Sequence, residues 1–210
     1  MIREIAFTPQ QTYASVLAAM QLEADAIASG RQSEALWIGE HPLTVTLGRS
    51  LKSPGQIVAL RDEVPVVAVE RGGGATLHNP GQLVIYPLLR LVDHGLSPVS
   101  YLRMLEEALI AALTEGDIAA RVIAGQTGVW VGERKIASLG VSLARGITRH
   151  GLALNVINAL SDFAMIAPCG FSAEVMTRVA EFQPASIGEW SARVAGHLQA
   201  RLSPALEAYT

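Results

Sequence analysis

One stretch constrains this chain more than any other: Glu70-Arg71-Gly72-Gly73-Gly74-Ala75-Thr76-Leu77-His78-Asn79-Pro80-Gly81-Gln82. Before it, Val64-Pro65-Val66-Val67-Ala68-Val69 reads as a buried strand, and after it Leu83-Val84-Ile85-Tyr86 reads as another. Three consecutive glycines carry no side chains and cost backbone entropy. Such a run is kept where the backbone must approach something closely or take positive φ. The connection is longer than a hairpin needs. It is therefore either a wide surface loop or a loop that wraps a ligand with backbone N–H groups.

The rest of the chain surrounds this loop with alternating short elements. A strand is expected over 2–7 and a helix over 10–28, with Tyr13, Leu17, Met20 and Ala24 on one face. Strands over 35–38 and 43–47 flank Glu40-His41-Pro42, where His41 reads as a turn residue before its proline. Ser97-Pro98 supplies a cap and a proline at the first helical position. The helix that follows buries Leu102, Leu105, Leu109, Ala112 and Leu113 and stops near Gly116. Strands over 119–123, 128–131, 136–144 and 150–156 come next, with a tight hairpin over 131–135. Ser186-Ile187-Gly188-Glu189 then opens a last helix ending near Leu202. Two or three helices and about ten short strands give an α+β class: mixed or antiparallel sheets covered by helices, in a single domain over residues 1–210.

Composition excludes several functions. Net charge is −3, which is the wrong sign for a nucleic-acid binder, and no apolar run reaches the length of a membrane span. The N-terminus lacks signal architecture and Cys169 is the only cysteine, so no internal disulfide can form and a cytosolic protein is expected. The five histidines are scattered and there is one cysteine, so no metal site is expected, and no cofactor is assigned. Of the 16 basic residues only Lys52 and Lys135 are lysines. Arginine stays protonated in proteins whereas a desolvated lysine can act as a base, so each lysine invites a reason. Lys52 lies in a Ser/Pro/Gly segment and reads as a solvated charge. Lys135 opens an apolar strand and is the better candidate for chemistry.

Read together, Thr46-Leu47-Gly48-Arg49, residues 71–82, residues 134–141, residues 150–156 and Pro168-Cys169-Gly170 resemble the lipoyl(octanoyl) transferases, the octanoyl-[acyl-carrier-protein]–protein N-octanoyltransferases. The resemblance implies a biotin/lipoyl-protein ligase-like fold. It implies that Cys169 is an acyl-thioester nucleophile and that Lys135 lowers its pKa. The chemistry needs both, because thioester exchange proceeds through thiolate and an ordinary thiol near pKa 8.5 is only about a few per cent ionised at pH 7.

By the same resemblance Arg71, Gly72, Gly73, Gly74, Ala75, Thr76, Leu77 and His78, with Ser138, Leu139, Gly140, Gly151, Leu152 and Ala153, form the acyl and substrate pocket. Leu77, Leu139 and Leu152 are expected against the eight-carbon chain. The implied donor is octanoyl-acyl carrier protein. The implied acceptors are lipoyl domains of 2-oxoacid dehydrogenase E2 subunits and the glycine cleavage H protein. Both kinds of partner are usually acidic, so Arg134, Arg145 and Arg149 are candidates for a basic docking surface. For His78 a structural hydrogen bond and proton transfer both stand open. Family members commonly read Phe-His-Gly-Pro-Gly-Gln where this chain has Leu77-His78-Asn79-Pro80-Gly81-Gln82, which puts the pocket's shape and acyl-length selection in question. Two other readings are an ATP-dependent lipoate– or biotin–protein ligase, which has no need of Cys169, and a non-catalytic carrier-protein-binding relative.

Overall fold

The computed structural model describes residues 2–50, 57–166 and 175–202. In chain order the elements are β1 (Arg3–Phe7), α1 (Tyr13–Ala28), β2 (Ala35–Gly39), β3 (Thr44–Leu47), β4 (Val66–Ala68), β5 (Ala75–His78), β6 (Gln82–Leu88), α2 (Pro98–Glu115), β7 (Arg121–Ile123), β8 (Gln126–Val131), β9 (Arg134–Ala144), β10 (Ile147–Asn155) and α3 (Ile187–Leu202). A seven-stranded sheet runs β1-β2-β6-β10-β9-β8-β7 and a three-stranded one β4-β3-β5. β1 pairs parallel with β2 and β3 parallel with β4, while the remaining strand pairs are antiparallel. The fold is thus α+β with mixed and antiparallel sheets, as the sequence pattern indicates.

β6 lies inside the sheet between β2 and β10, and its two-residue period sorts the core. Leu83 and Ile85 face the layer formed by α2 and α3, where they meet Leu105, Leu109, Trp190 and Leu198. Val84, Tyr86 and Leu88 face α1, against Val16, Met20, Ala24 and Ile27. Both faces are covered, so β6 is apolar almost throughout and the strand reads as a continuous hydrophobic run. The small sheet has its own core of Val45, Leu77, Phe163, Met165 and Ile166.

Helix ends follow local chemistry. Thr12 caps α1 by accepting from the Ser15 N–H, so the helix begins three residues after the expected position. In α2, Ser97 and Ser100 form a reciprocal capping box with Pro98 just inside it. Two expectations are corrected. The segment before the glycine run is not a buried strand: β4 is a three-residue edge strand, and Val66 is 39% exposed. Nor is residues 70–82 all loop, because β5 lies inside it, paired antiparallel with β3.

Candidate active site

The glycine run bridges the two sheets. On one side the N–H groups of Gly48, Arg49 and Ser50 donate to the carbonyls of Gly74, Arg71 and Gly73, at 3.0–3.1 Å. On the other, the Gly72 N–H donates to Val141 O of β9 at 3.0 Å. A side chain would not fit in this seam. A Cβ at Gly48 would sit 2.4 Å from Gly73 O, and Gly73 itself has φ +83°. Arg71 is buried and donates to Thr46 O (2.9 Å), Thr46 Oγ1 (2.7 Å) and Gly72 O (3.0 Å). Glu70 turns away to Arg49 (3.6 Å) and Arg149 (4.0 Å).

Within the seam lies a thin slot of about 50 Å³. Arg71, Gly73, Gly74, Ala75, Thr76 and His78 line it from the small sheet's side, and Lys135, Ser138, Leu139, Gly140, Gly151, Leu152 and Ala153 line it from β9 and β10. Three separate sequence stretches therefore converge on one cavity. Gly72 lies just outside it. Leu77 points the other way: alternation along β5 sends it, fully buried, into the small sheet's core, so the family's Phe-to-Leu departure falls on core packing instead of on the slot wall. Cys169, with Pro168 and Gly170, lies outside the described residues, as does Lys52.

Lys135, at the start of β9, is 3% exposed. Its Nζ stands 5.5 Å from the Trp130 ring centroid. The space for its side chain comes from Gly128, where a Cβ would lie 2.5 Å from Lys135 Cε and 3.1 Å from Nζ. Glu106 of α2, 1% exposed, holds that glycine: its Oε1 accepts the Gly128 N–H at 3.3 Å and its Oε2 accepts from Arg103 at 2.6 Å. The Lys135 carbonyl accepts the Thr177 N–H at 2.9 Å, so the chain returning at Met176 is paired with the lysine's own backbone. Sequence reasoning missed Glu106, Gly128 and Trp130, since only the hairpin's tertiary packing joins them to the lysine.

The slot's inner end was missed too. It is made of Tyr13, Tyr86 and His150, and His41 packs behind it 4.5 Å from Tyr13. The His41 Nε2 lies 2.8 Å from Tyr86 Oη. His41 lies in the connection between β2 and β3, as its proline suggests, and is buried there. His78 Nδ1–H donates to Gln82 Oε1 at 2.8 Å. Gln82 Nε2 donates on to Asn155 Oδ1 (3.0 Å), and Asn155 Nδ2 to Thr177 O (3.0 Å). Asn158 joins Asn155 to Asn79, whose amide donates to Ala159 O and Asp162 Oδ2, both at 2.9 Å. Asn79 thus serves as a side-chain strut, and the positive φ in this turn belongs to Gly81 (+87°), packed 2.7 Å (as a Cβ) from Asn158 N.

Burial lowers all three histidines: His41 to about 2, with His78 and His150 adding repulsion, His78 to about 4, and His150 to about 3, with Arg71 adding repulsion. All three are neutral imidazoles at neutral pH, and His78 commits its Nδ1–H to Gln82, which favours the structural role for His78. Their folded pKa values lie below the unfolded value of 6.5. The unfolded chain therefore takes up protons first, and stability present above pH 6.5 is lost as pH falls toward 4, 3 and 2 in turn. Between pH 7.5 and 5.5 the loss should approach about 1.4 kcal/mol per histidine. Urea midpoints at the two pH values check this, and His41→Gln should shallow the dependence by about a third of the histidine share. An unchanged midpoint down to pH 5 would contradict it.

The arginines expected to form a basic docking surface are each ion-paired. Arg134 meets Glu181 at 2.7 Å, Arg145 meets Asp25, and Arg149 meets Asp25 at 3.4 Å as well as Glu70. Carboxylates from α1 and from neighbouring loops lie beside them, so they do not form an open cationic patch. Among the described residues no group of three or more His, Cys, Asp and Glu could hold a metal ion, and no helix is long and apolar enough to cross a membrane.

The family model for the lipoyl protein ligase A/B catalytic domain matches residues 12–199. The chain is 42% identical over 193 residues to the octanoyltransferase of Syntrophotalea carbinolica, covering 90% of each. Among solved structures, lipoate-protein ligase A bound with ATP superposes with a TM-score of 0.76 at 19% identity, covering 96% of this chain and 85% of that one. The biotin protein ligase of Aquifex aeolicus superposes with a TM-score of 0.56 at 13% identity, covering 96% and 69%. At these identities the two structures share the fold with this chain.

Proposed function

This chain belongs to the lipoyl protein ligase A/B catalytic-domain family, and on that premise we propose that it is an octanoyltransferase that moves an octanoyl group from acyl carrier protein to a lysine of a lipoyl domain by way of Cys169. The observation that carries the reading is the convergence of Arg71, residues 73–76 and His78 with residues 138–140 and 151–153 on one slot with Lys135 in its wall. Leu139 and Leu152 supply apolar contacts for the octanoyl (or lipoyl) chain in this slot.

In the first step Lys135 takes the Cys169 proton and the thiolate attacks the donor's acyl carbon. A C–S bond forms, the donor's C–S bond breaks, and the departing pantetheine thiolate recovers the proton from Lys135. In the second step the ε-amine of the acceptor lysine attacks the Cys169 thioester. A C–N bond forms, the Cys169 C–S bond breaks, and the proton shed by nitrogen returns to the thiolate through Lys135. Thioester exchange is close to isoenergetic and amide formation runs downhill, so no nucleotide is required. The acceptors are lipoyl domains of E2 subunits and the H protein.

The test is intact-mass spectrometry after incubation with octanoyl-acyl carrier protein in the absence of ATP. One octanoyl group should appear on the protein, map to Cys169, and pass to an added apo lipoyl domain. No adduct and no transfer, together with transfer from free octanoate plus ATP, would replace this reading with the ligase one.

A further inference from the structure

A second cavity, of about 480 Å³, opens from Lys135 in addition to the slot. It runs between the glycine loop and the β7–β8 turn, with Gln126, Thr127 and Trp130 on one side and Leu139 in its floor. The two cavities share Gly73, Gly74, Lys135, Leu139 and Gly140, so they meet at the lysine. We propose that this groove receives the pantetheine-type arm of the donor, a linear thiol chain of amides and short methylene runs, while the slot receives the acyl chain. The assignment rests on the acyl-transfer reading above and gives it a second substrate subsite.

Three observations select this occupant. In a thioester the sulfur joins acyl chain to arm, so a site that holds both around one reactive carbon needs two channels meeting where the proton is handled. Lys135 is the residue at that junction. Volume is the second. The groove falls in the range that holds small molecules, and it is far larger than the four-carbon side chain of an acceptor lysine requires. The third is the chemistry of the walls. The Gln126 carboxamide both donates and accepts, the Thr127 hydroxyl does the same, and Leu102, Leu139 and Val141 supply apolar surface between them. That alternation suits a chain of amides and methylenes. No carboxylate is among the described lining residues, so nothing there would draw in a cationic lysine. Thr127 and Gly125 are exposed, which leaves the outer end open to a carrier protein.

The proposal is tested by self-acylation rates with three donors: octanoyl-acyl carrier protein, octanoyl-pantetheine, and octanoyl-N-acetylcysteamine, whose arm stops after one amide. The protein should prefer the pantetheine thioester to the truncated one in kcat/KM by on the order of tenfold, the worth of one or two hydrogen bonds with their apolar contacts. Thr127→Trp, which fills the groove from an exposed turn, should erase that preference by slowing the long-armed donors alone. Gln126→Ala should reduce it in the same direction. An undiminished rate with the truncated donor shows that each variant is folded and that its slot is intact. Equal rates for the long and short arms in the unsubstituted protein, or a loss in Thr127→Trp shared by all three donors, would overturn the groove while leaving acyl transfer standing. If no thioester acylates the protein at all, the acyl-transfer reading falls and the groove's assignment falls with it.

Discussion

Cys169→Ala is expected to lose octanoyl transfer by on the order of 10⁴-fold or more, the scale on which removal of a covalent nucleophile acts. No other thiol exists in the chain, so nothing can substitute for it. The protein should nonetheless keep its melting temperature. The three cores, built on β6, on α1 and on the small sheet, are assembled from other residues among those described. Steady-state transfer from octanoyl-acyl carrier protein to an apo lipoyl domain measures the loss, and a thermal melt controls for folding. Cys169→Ser adds a chemical discrimination. A hydroxyl is a far weaker nucleophile at neutral pH, so any adduct should form slowly and persist as an ester that peptide mapping places at position 169. Transfer by Cys169→Ala within tenfold of the unsubstituted rate would remove the covalent intermediate from the mechanism.

Lys135→Met should cost about 10² to 10⁴ in the rate of self-acylation, the usual range for a lost acid–base group. Methionine retains much of the stem that lies over Gly128, so the loss should fall on kcat with folding preserved. Lys135→Arg should not restore activity, because a guanidinium does not give up its proton and its planar fork does not fit the same narrow space. Gly128→Val supplies the complementary case. It keeps the lysine, but the new Cβ would sit 2.5 Å from Lys135 Cε at a φ of +127°, so the amine must move and activity should fall although the residue is present. Rapid-quench measurement of acyl-enzyme formation separates these effects from the second step. A Lys135→Met enzyme that acylates at the normal rate would show that the lysine acts elsewhere.

Much of this arrangement was legible because it is local. The Ser97-Pro98 cap, the hairpin at Gly132-Glu133 and the apolar run of β6 follow from short-range chemistry, and all three stand in the structure. The 71–78, 138–140 and 151–153 stretches were legible through their resemblance to a family, and they do meet in one slot, with Gly72 at its edge and Leu77 turned away. β5 was hidden because four residues between Gly and Asn-Pro carry too short a pattern, and pairing with β3 decides the matter. Val64 to Val69 suggested burial because the residues are apolar, yet the strand they form lies at an edge. Tyr13, His41, Tyr86 and His150 come from well-separated parts of the chain, and only the packing of α1 across β6 and β10 brings them together. His150 holds φ +59°, a conformation that non-glycine residues seldom adopt outside constrained positions, and nothing local in the sequence announces it.

The order of strands has a consequence in time. β7, β8, β9 and β10 form an uninterrupted meander whose turns are closed by Gly125, Gly132 and Gly146, all at positive φ. Each strand there pairs with its neighbour in sequence, so loop closure is cheap and these hairpins can form early in folding. β6 pairs instead with β2 and β10, across long stretches of chain, and the glycine run is fixed only once β3 and β5 have docked. The lysine-bearing strand therefore belongs to the early-forming half of the molecule and the opposing wall of the slot to the late one, so recovery of activity on refolding should lag behind formation of the β9–β10 hairpin.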